Sequence, residues 1–265
     1  MKRFFARSFM FFCLSILFCL SPNNAYGVEI DIANTQKGVV SIKYTGDLSK
    51  AVMVLVESNG SKYTYSIKKS GVSSNVPLQL GDGQYKITVV QNVMDTKYKP
   101  LATQIVDVKS VDTFAMYSTS SLQVEYDSGM KAIKDYTALT AGKNANEAAN
   151  AIYEDLVKNY NYDFDKVKTL PSNYTPVIDD VYANKMGICY DYAVMLCGAL
   201  RSKGIPTKLV MGYAPEIKEY HAWNEIYLNE KWVVVDTTYD SQMEKAKASY
   251  SFAKDGSKRS VLKVY

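Results

Sequence analysis

The sequence predicts an α+β protein in two parts, a small N-terminal β-sandwich followed by a mixed domain. Three observations carry this. From residue 28 to about 111, β-favouring runs alternate with turn residues; beyond about Thr113 the apolar period becomes helical; near Asn229 two β-favouring runs return on either side of a short turn.

In the first part the runs fall at 39–44, 51–57, 63–67, 85–91 and 104–108, with Asn59-Gly60 and Asp82-Gly83 as turn signals between them. Short strands at this spacing, without a helical period, fit an immunoglobulin-like sandwich of roughly 80 residues, set at 28–111. No residue in it suggests catalysis, so it reads as a packing, spacer or binding domain.

The helical period first covers 128–139, with Gly142 as the stop. A stronger segment covers 144–160, where Asn144 and Glu147 have capping-box spacing and Ala148, Ile152, Leu156 and Tyr160 recur on one face. After a looser stretch holding Pro171 and Pro176, residues 187–201 run from a glycine into a third helix. Ala193, Leu196, Cys197 and Leu200 form its apolar stripe, and Gly204-Ile205-Pro206 ends it.

Lys2, Arg3 and Arg7 precede an apolar run at 8–20 and the small-residue region Ala25-Tyr26-Gly27, the pattern of a secretory signal peptide over 1–27. The run is shorter than the ~18 residues of a spanning helix, so a secreted or cell-surface protein with no stable membrane span is expected. Without this segment 28 basic residues face 27 acidic ones, and the net charge falls from +4 to +1. That leaves no basic field to argue for nucleic acid. The 22 tyrosines suit contact with peptides or cell-wall polymers, and equally suit a core of polar-tipped aromatics.

Processing would leave Cys189 and Cys197. On one helix they stand roughly 12 Å apart, beyond the ~7 Å limit for a disulfide, so at least one thiol is expected to stay free. Cys189 opens the helix, where unpaired N–H groups and the macrodipole favour a thiolate. Cys197 faces the buried stripe as a small core residue.

His221 is the only histidine. It begins a run to Leu228, and after Asn229-Glu230 a second run leads from Lys231 to Asp236 and Thr238. Pairing Leu228 with Lys231 sets Asp236 opposite Trp223 and His221 opposite Thr238, so His221 and Asp236 become diagonal neighbours on one face, about 7 Å apart at Cβ. An imidazole and a carboxylate can span that gap. Thiol, histidine and carboxylate are the parts of an activated cysteine nucleophile.

The stretches Gly187-Ile188-Cys189-Tyr190-Asp191-Tyr192-Ala193, Leu200-Arg201-Ser202-Lys203-Gly204-Ile205-Pro206, Tyr220-His221-Ala222-Trp223-Asn224-Glu225 and Lys231-Trp232-Val233-Val234-Val235-Asp236-Thr237-Thr238 together resemble the transglutaminase-like superfamily. Upstream, Ala151-Ile152-Tyr153 and Tyr160-Asn161-Tyr162-Asp163 resemble the helix and turn that precede this core in bacterial members. The resemblance spans roughly 144–240. It implies a papain-like α+β domain at 112–265, with Cys189 as nucleophile, His221 as general base and acid, and Asp236 as the orienting carboxylate. The Cys189 N–H would supply one oxyanion donor, and Tyr162 is a weak candidate for a second. No metal or other cofactor is implied, and no D-x-D-x-D-G calcium loop is found. The superfamily includes cross-linking, hydrolytic and inactive members. Hydrolysis of a peptide or isopeptide bond in a protein or peptide substrate is the first reading; amine transfer and a non-catalytic surface-binding module remain open.

Overall fold

A computed structural model describes residues 25–171 and 173–265. The predicted signal peptide lies outside the described residues except for 25–27. The strands of the first part are β1 (Val28–Asp31), β2 (Val39–Tyr44), β3 (Val52–Ser58), β4 (Ser61–Ile67), β5 (Ser73–Pro77), β6 (Gly83–Met94) and β7 (Lys97–Val108). They form two antiparallel sheets, ordered β1-β2-β5 and β4-β3-β6-β7.

Alternation explains which side chains turn inward. In β3, Val52, Val54 and Val56 are buried while the residues between them are not. The β3–β4 hairpin closes on Asn59-Gly60, whose φ values of 50° and 72° fit the turn that matches strand twist. β1 and β5 carry no strong strand signal: β5 reads Ser-Ser-Asn-Val-Pro and buries only Val76 and Pro77. Both are strands because β2 pairs with them on either side.

The second part runs through α1 (Thr113–Met116), α2 (Lys131–Leu139), α3 (Ala145–Asn159), β8 (Asn161–Tyr162), α4 (Phe164–Thr169), α5 (Ile178–Asn184), β9 (Met186–Gly187), α6 (Cys189–Arg201), β10 (Thr207–Ala214), β11 (Ile217–Leu228), β12 (Lys231–Val235), α7 (Thr237–Lys245) and β13 (Ser260–Val264). Strands β12-β11-β10-β13 form an antiparallel sheet, and β8 pairs in parallel with β9. The capping box on α3 is complete: the Glu147 N–H donates to Asn144 at 3.0 Å, and the Asn144 N–H donates to Glu147 at 3.1 Å. Ala148, Ile152, Leu156 and Tyr160 are all fully buried.

Helix α6 is the centre of this part. A single apolar stripe was expected, yet only Cys189 of its residues escapes full burial. The helix packs on β10 and β11 on one side and on α2, α3, α5 and α7 around the rest, so every face is covered. Its last residue, Arg201, is buried and donates to three carbonyls: Thr207 at 2.8 Å, Thr119 at 3.1 Å and Tyr265 at 2.8 Å. Contacts also cross the expected division at residue 111. The Tyr265 ring lies 5.3 Å from Tyr63 and 5.9 Å from Tyr65.

Arg201→Met strips three carbonyls, two of them in buried hydrogen bonds, of a charged donor and is expected to cost about 3 kcal/mol. Lys69→Ala removes only a solvent-screened pair with Glu125 and should cost under about 1 kcal/mol. Urea midpoints at constant slope check both; equal losses would contradict the assignment of Arg201 as a structural hub.

Candidate active site

Cys189 sits at the first position of α6, half-buried, just after the β8–β9 bridge. Asp191 fixes this entry. Its carboxylate accepts the Ile188 N–H at 2.8 Å and the Lys166 ammonium at 2.7 Å, and the Tyr174 hydroxyl bonds its other oxygen. Gly187 lies so near that a Cβ there would stand 2.5 Å from Asp191 Cβ. A glycine is therefore needed for so tight an approach to the helix. Cys197, two turns on, is fully buried and donates to the Thr207 carbonyl at 3.2 Å; burial pushes its thiol up to about 11. Both thiols are free, as two cysteines eight residues apart on a helix must be.

His221 lies on β11 opposite Gly212 of β10, with 4% of its surface exposed. Its Nε2–H faces Asp236, 2.9 Å from Oδ2 and 3.1 Å from Oδ1. The Cys189 thiol stands near enough to the imidazole to add to the rise of its pKa. The hairpin register is the predicted one from Leu228–Lys231 as far as Asn224–Val235, and there it stops. Asp236 is not paired with Trp223, nor Thr238 with His221. Asp236 instead caps α7, with Oδ1 accepting the Tyr239 N–H at 3.1 Å. The carboxylate still reaches the imidazole, from a helix cap rather than across a ladder.

The electrostatics of the pair are consistent. Burial opposes a charged imidazole, but the Asp236 carboxylate and its hydrogen bonds, with the nearby Cys189 thiol, outweigh it, raising His221 to about 9. Burial likewise pushes Asp236 up, yet the charges of His221 and Arg259 and the Tyr239 N–H hold it below the usual carboxylate range. Both directions favour an imidazolium–carboxylate pair.

Tyr162 pairs with Gly187 across the β8–β9 bridge, two residues before the thiol. Burial and the neighbouring Cys189 raise its phenol to about 12, so it keeps its proton at neutral pH. Tyr220, 49% exposed, also lies within electrostatic reach of Cys189. Tyr162 and Tyr220 each carry a ring partner, Phe164 against Tyr162 and Tyr213 against Tyr220. Arg259 was not anticipated. Its guanidinium, 1% exposed, donates to Asp236 Oδ2 at 3.0 Å and to Glu216 at 3.2 Å. Nothing in its local sequence marks it, because it arrives from 23 residues beyond Asp236.

The structure thus brings a thiol at a helix start near an imidazole that is held by a buried carboxylate. Residues 131–237 match the family model described as the transglutaminase-like superfamily, so this part of the chain is a transglutaminase-like core. The uncharacterized protein YebA of Bacillus subtilis (strain 168) is 27% identical over 187 residues, covering 63% of this chain and 23% of YebA. The chain therefore spans less than a quarter of that relative's length. A candidate cysteine protease from Cytophaga hutchinsonii is similar at 15% identity, covering 82% of this chain and 75% of that one, with a TM-score of 0.43. The periplasmic domain of TgpA from Pseudomonas aeruginosa, bound to ethylmercury, is similar at 16% identity, covering 78% and 74%, with a TM-score of 0.40.

Iodoacetamide is expected to alkylate Cys189 in the native protein and Cys197 only after denaturation, as read by peptide mapping; equal labelling would contradict the helix register. Stability should also depend on pH through His221. Its folded value of about 9 lies above the ordinary 6.5, so its contribution is complete below about pH 6.5 and is lost as pH rises through about 9. The urea midpoint should fall across that window in the wild type and stay flatter in His221→Gln.

Proposed function

We propose that the protein is a secreted cysteine hydrolase that cleaves peptide or isopeptide bonds through Cys189, His221 and Asp236. The observation that carries this reading is the single histidine bridging a helix-opening thiol and a buried carboxylate at 2.9 Å. The thiolate, stabilised by the helix end, attacks the substrate carbonyl carbon. The resulting oxyanion would be met by the Cys189 N–H and the Tyr162 hydroxyl. On collapse the C–N bond breaks, the imidazolium gives its proton to the leaving amine, and a thioester remains. Water then attacks the thioester with His221 as base, releasing the acid and restoring the thiol.

Asp236 keeps the ring turned so that one nitrogen faces the thiol. The basic start and apolar run of residues 1–27 support secretion, and the aromatic walls around Cys189 suit a protein or peptide at the cell surface. The two sheets of residues 28–108 contribute inward side chains to one hydrophobic cluster, which supports a sandwich-type domain beside the catalytic one at 112–265.

The purified protein, incubated with candidate proteins with and without a primary amine, is expected to release fragments and to gain no amine label. Amine incorporation would make it a transferase. Neither product, with partner binding unchanged in Cys189→Ala, would make it a binding module. Cys189→Ala and His221→Ala should abolish turnover, Asp236→Asn should lower it by about 10⁴, and Tyr162→Phe by about 10². Wild-type rates in Tyr162→Phe would remove it from the oxyanion site.

A further inference from the structure

We propose that Arg259 is a positioning residue of this site: its buried guanidinium, clamped between Asp236 and Glu216, fixes the carboxylate that orients His221 and shares that carboxylate's charge with the imidazole. The inference rests on the triad reading above and adds a fourth member to it.

The geometry leaves the Asp236 carboxylate no freedom to rotate. Oδ2 is divided between His221 Nε2 at 2.9 Å and Arg259 Nη1 at 3.0 Å, while Oδ1 is divided between Nε2 and the Tyr239 N–H, both at 3.1 Å. Arg259 is itself immobilised. Its Nη2 donates to Glu216 at 3.2 Å, and its plane lies over the Trp223 ring, 5.0 Å from the centroid. Trp223 in turn stacks on His221.

Stability alone does not account for this residue. Among the described residues its Nε is buried without a partner, and a buried ion pair of this kind is often no better than an apolar replacement. What an apolar side chain would not supply is positive charge on the far side of Asp236. With His221 as its only cation, the carboxylate would bind the imidazolium more tightly, and the proton would be harder to pass to a leaving amine.

The backbone is shaped to admit Arg259. Gly212, the partner of His221 on β10, faces β13 across a register shift, and a Cβ there would stand 1.9 Å from the Ser260 carbonyl. Only a glycine lets the segment carrying Arg259 pass this close to the histidine strand.

The charged and titratable groups near His221 come from every side. Cys189 comes from α6, Asp236 from the cap of α7, Arg259 from the segment before β13, and Glu216 from the β10–β11 turn. Asp240 lies behind, paired with Lys254 and with the Tyr153 hydroxyl. Tyr162 and Tyr220 stand beside the thiol.

Because His221 is the only histidine, NMR of protein carrying isotope-labelled histidine follows one imidazole. Working in Cys189→Ala removes the coupled thiol, so the titration is a single step. Arg259→Met is expected to raise the His221 midpoint by about 1 pH unit. Glu216→Gln, which frees more of the guanidinium's charge for Asp236, is expected to lower it by less. Arg259→Lys, which keeps the charge, is expected to stay near the parent. An unmoved midpoint in Arg259→Met, or shifts of the same sign in Arg259→Met and Glu216→Gln, would overturn the proposal. Should Arg259→Met fail to fold, Glu216→Gln decides alone, and a midpoint unchanged or raised there has the same force. Asp236→Asn separates this inference from the reading beneath it. A midpoint untouched by Asp236→Asn removes the triad, whereas one lowered by Asp236→Asn but insensitive to Arg259→Met removes only the role of Arg259.

Discussion

A carboxylate that solvent does not reach must be met by positive charge and by hydrogen bonds, and Asp236, with 1% of its surface exposed, imposes this on the elements around it. Three elements converge on it: β11 brings the His221 imidazole, α7 turns the Tyr239 N–H toward Oδ1, and the segment before β13 brings Arg259. None of them is local to Asp236 except the helix it caps. The sheet order β12-β11-β10-β13 can be understood from this meeting point, since β13 must lie at the β10 edge for Arg259 to arrive.

The same rule holds at the other buried carboxylates of this half. Asp191 is fully buried at the start of α6 and is met by Lys166, Tyr174 and the Ile188 N–H; Asp240 is fully buried in α7 and is met by Lys254 and Tyr153. Each pairs an acid on a core helix with a lysine from a peripheral segment. Each pairing therefore pins an outer element, α4 in one case and the loop after α7 in the other, against the helices that carry Cys189 and Asp236. Loss of such a partner would leave a buried acid unpaired and release the outer element it holds.

What could be read from the sequence was what depends on near neighbours. The Asn144–Glu147 cap, the start of α6 at Cys189, the Asn59-Gly60 turn and the Leu228–Lys231 register all rest on residues within a few positions of one another. Cys189, His221 and Asp236 were found together because two are joined by a hairpin whose turn fixes their spacing. The contact came out right even though its route did not, since a strand expected to continue to Thr238 gave way to a helix cap at Asp236. By contrast, β1 and β5 are strands only because β2 borders both, and the Lys166–Asp191 and Arg259–Asp236 pairs join residues 25 and 23 positions apart. No periodicity or turn chemistry encodes such meetings.

Gly212 and Gly187 are close contact points whose reason lies in residues brought up against them in space. Gly187 lets the Asp191 side chain fold back against the chain before the thiol, and Gly212 lets the Ser260 backbone cross beside the histidine strand. In each case the missing side chain brings a charged group to one end of the Cys189–His221 pair: Asp191 below the thiol's helix, Arg259 behind the histidine's carboxylate. A methyl group at either position would meet Asp191 or Ser260 rather than Cys189 or His221. It would displace Asp191 or the segment that carries Arg259, so these glycines bear on the Cys189, His221 and Asp236 cluster through geometry alone.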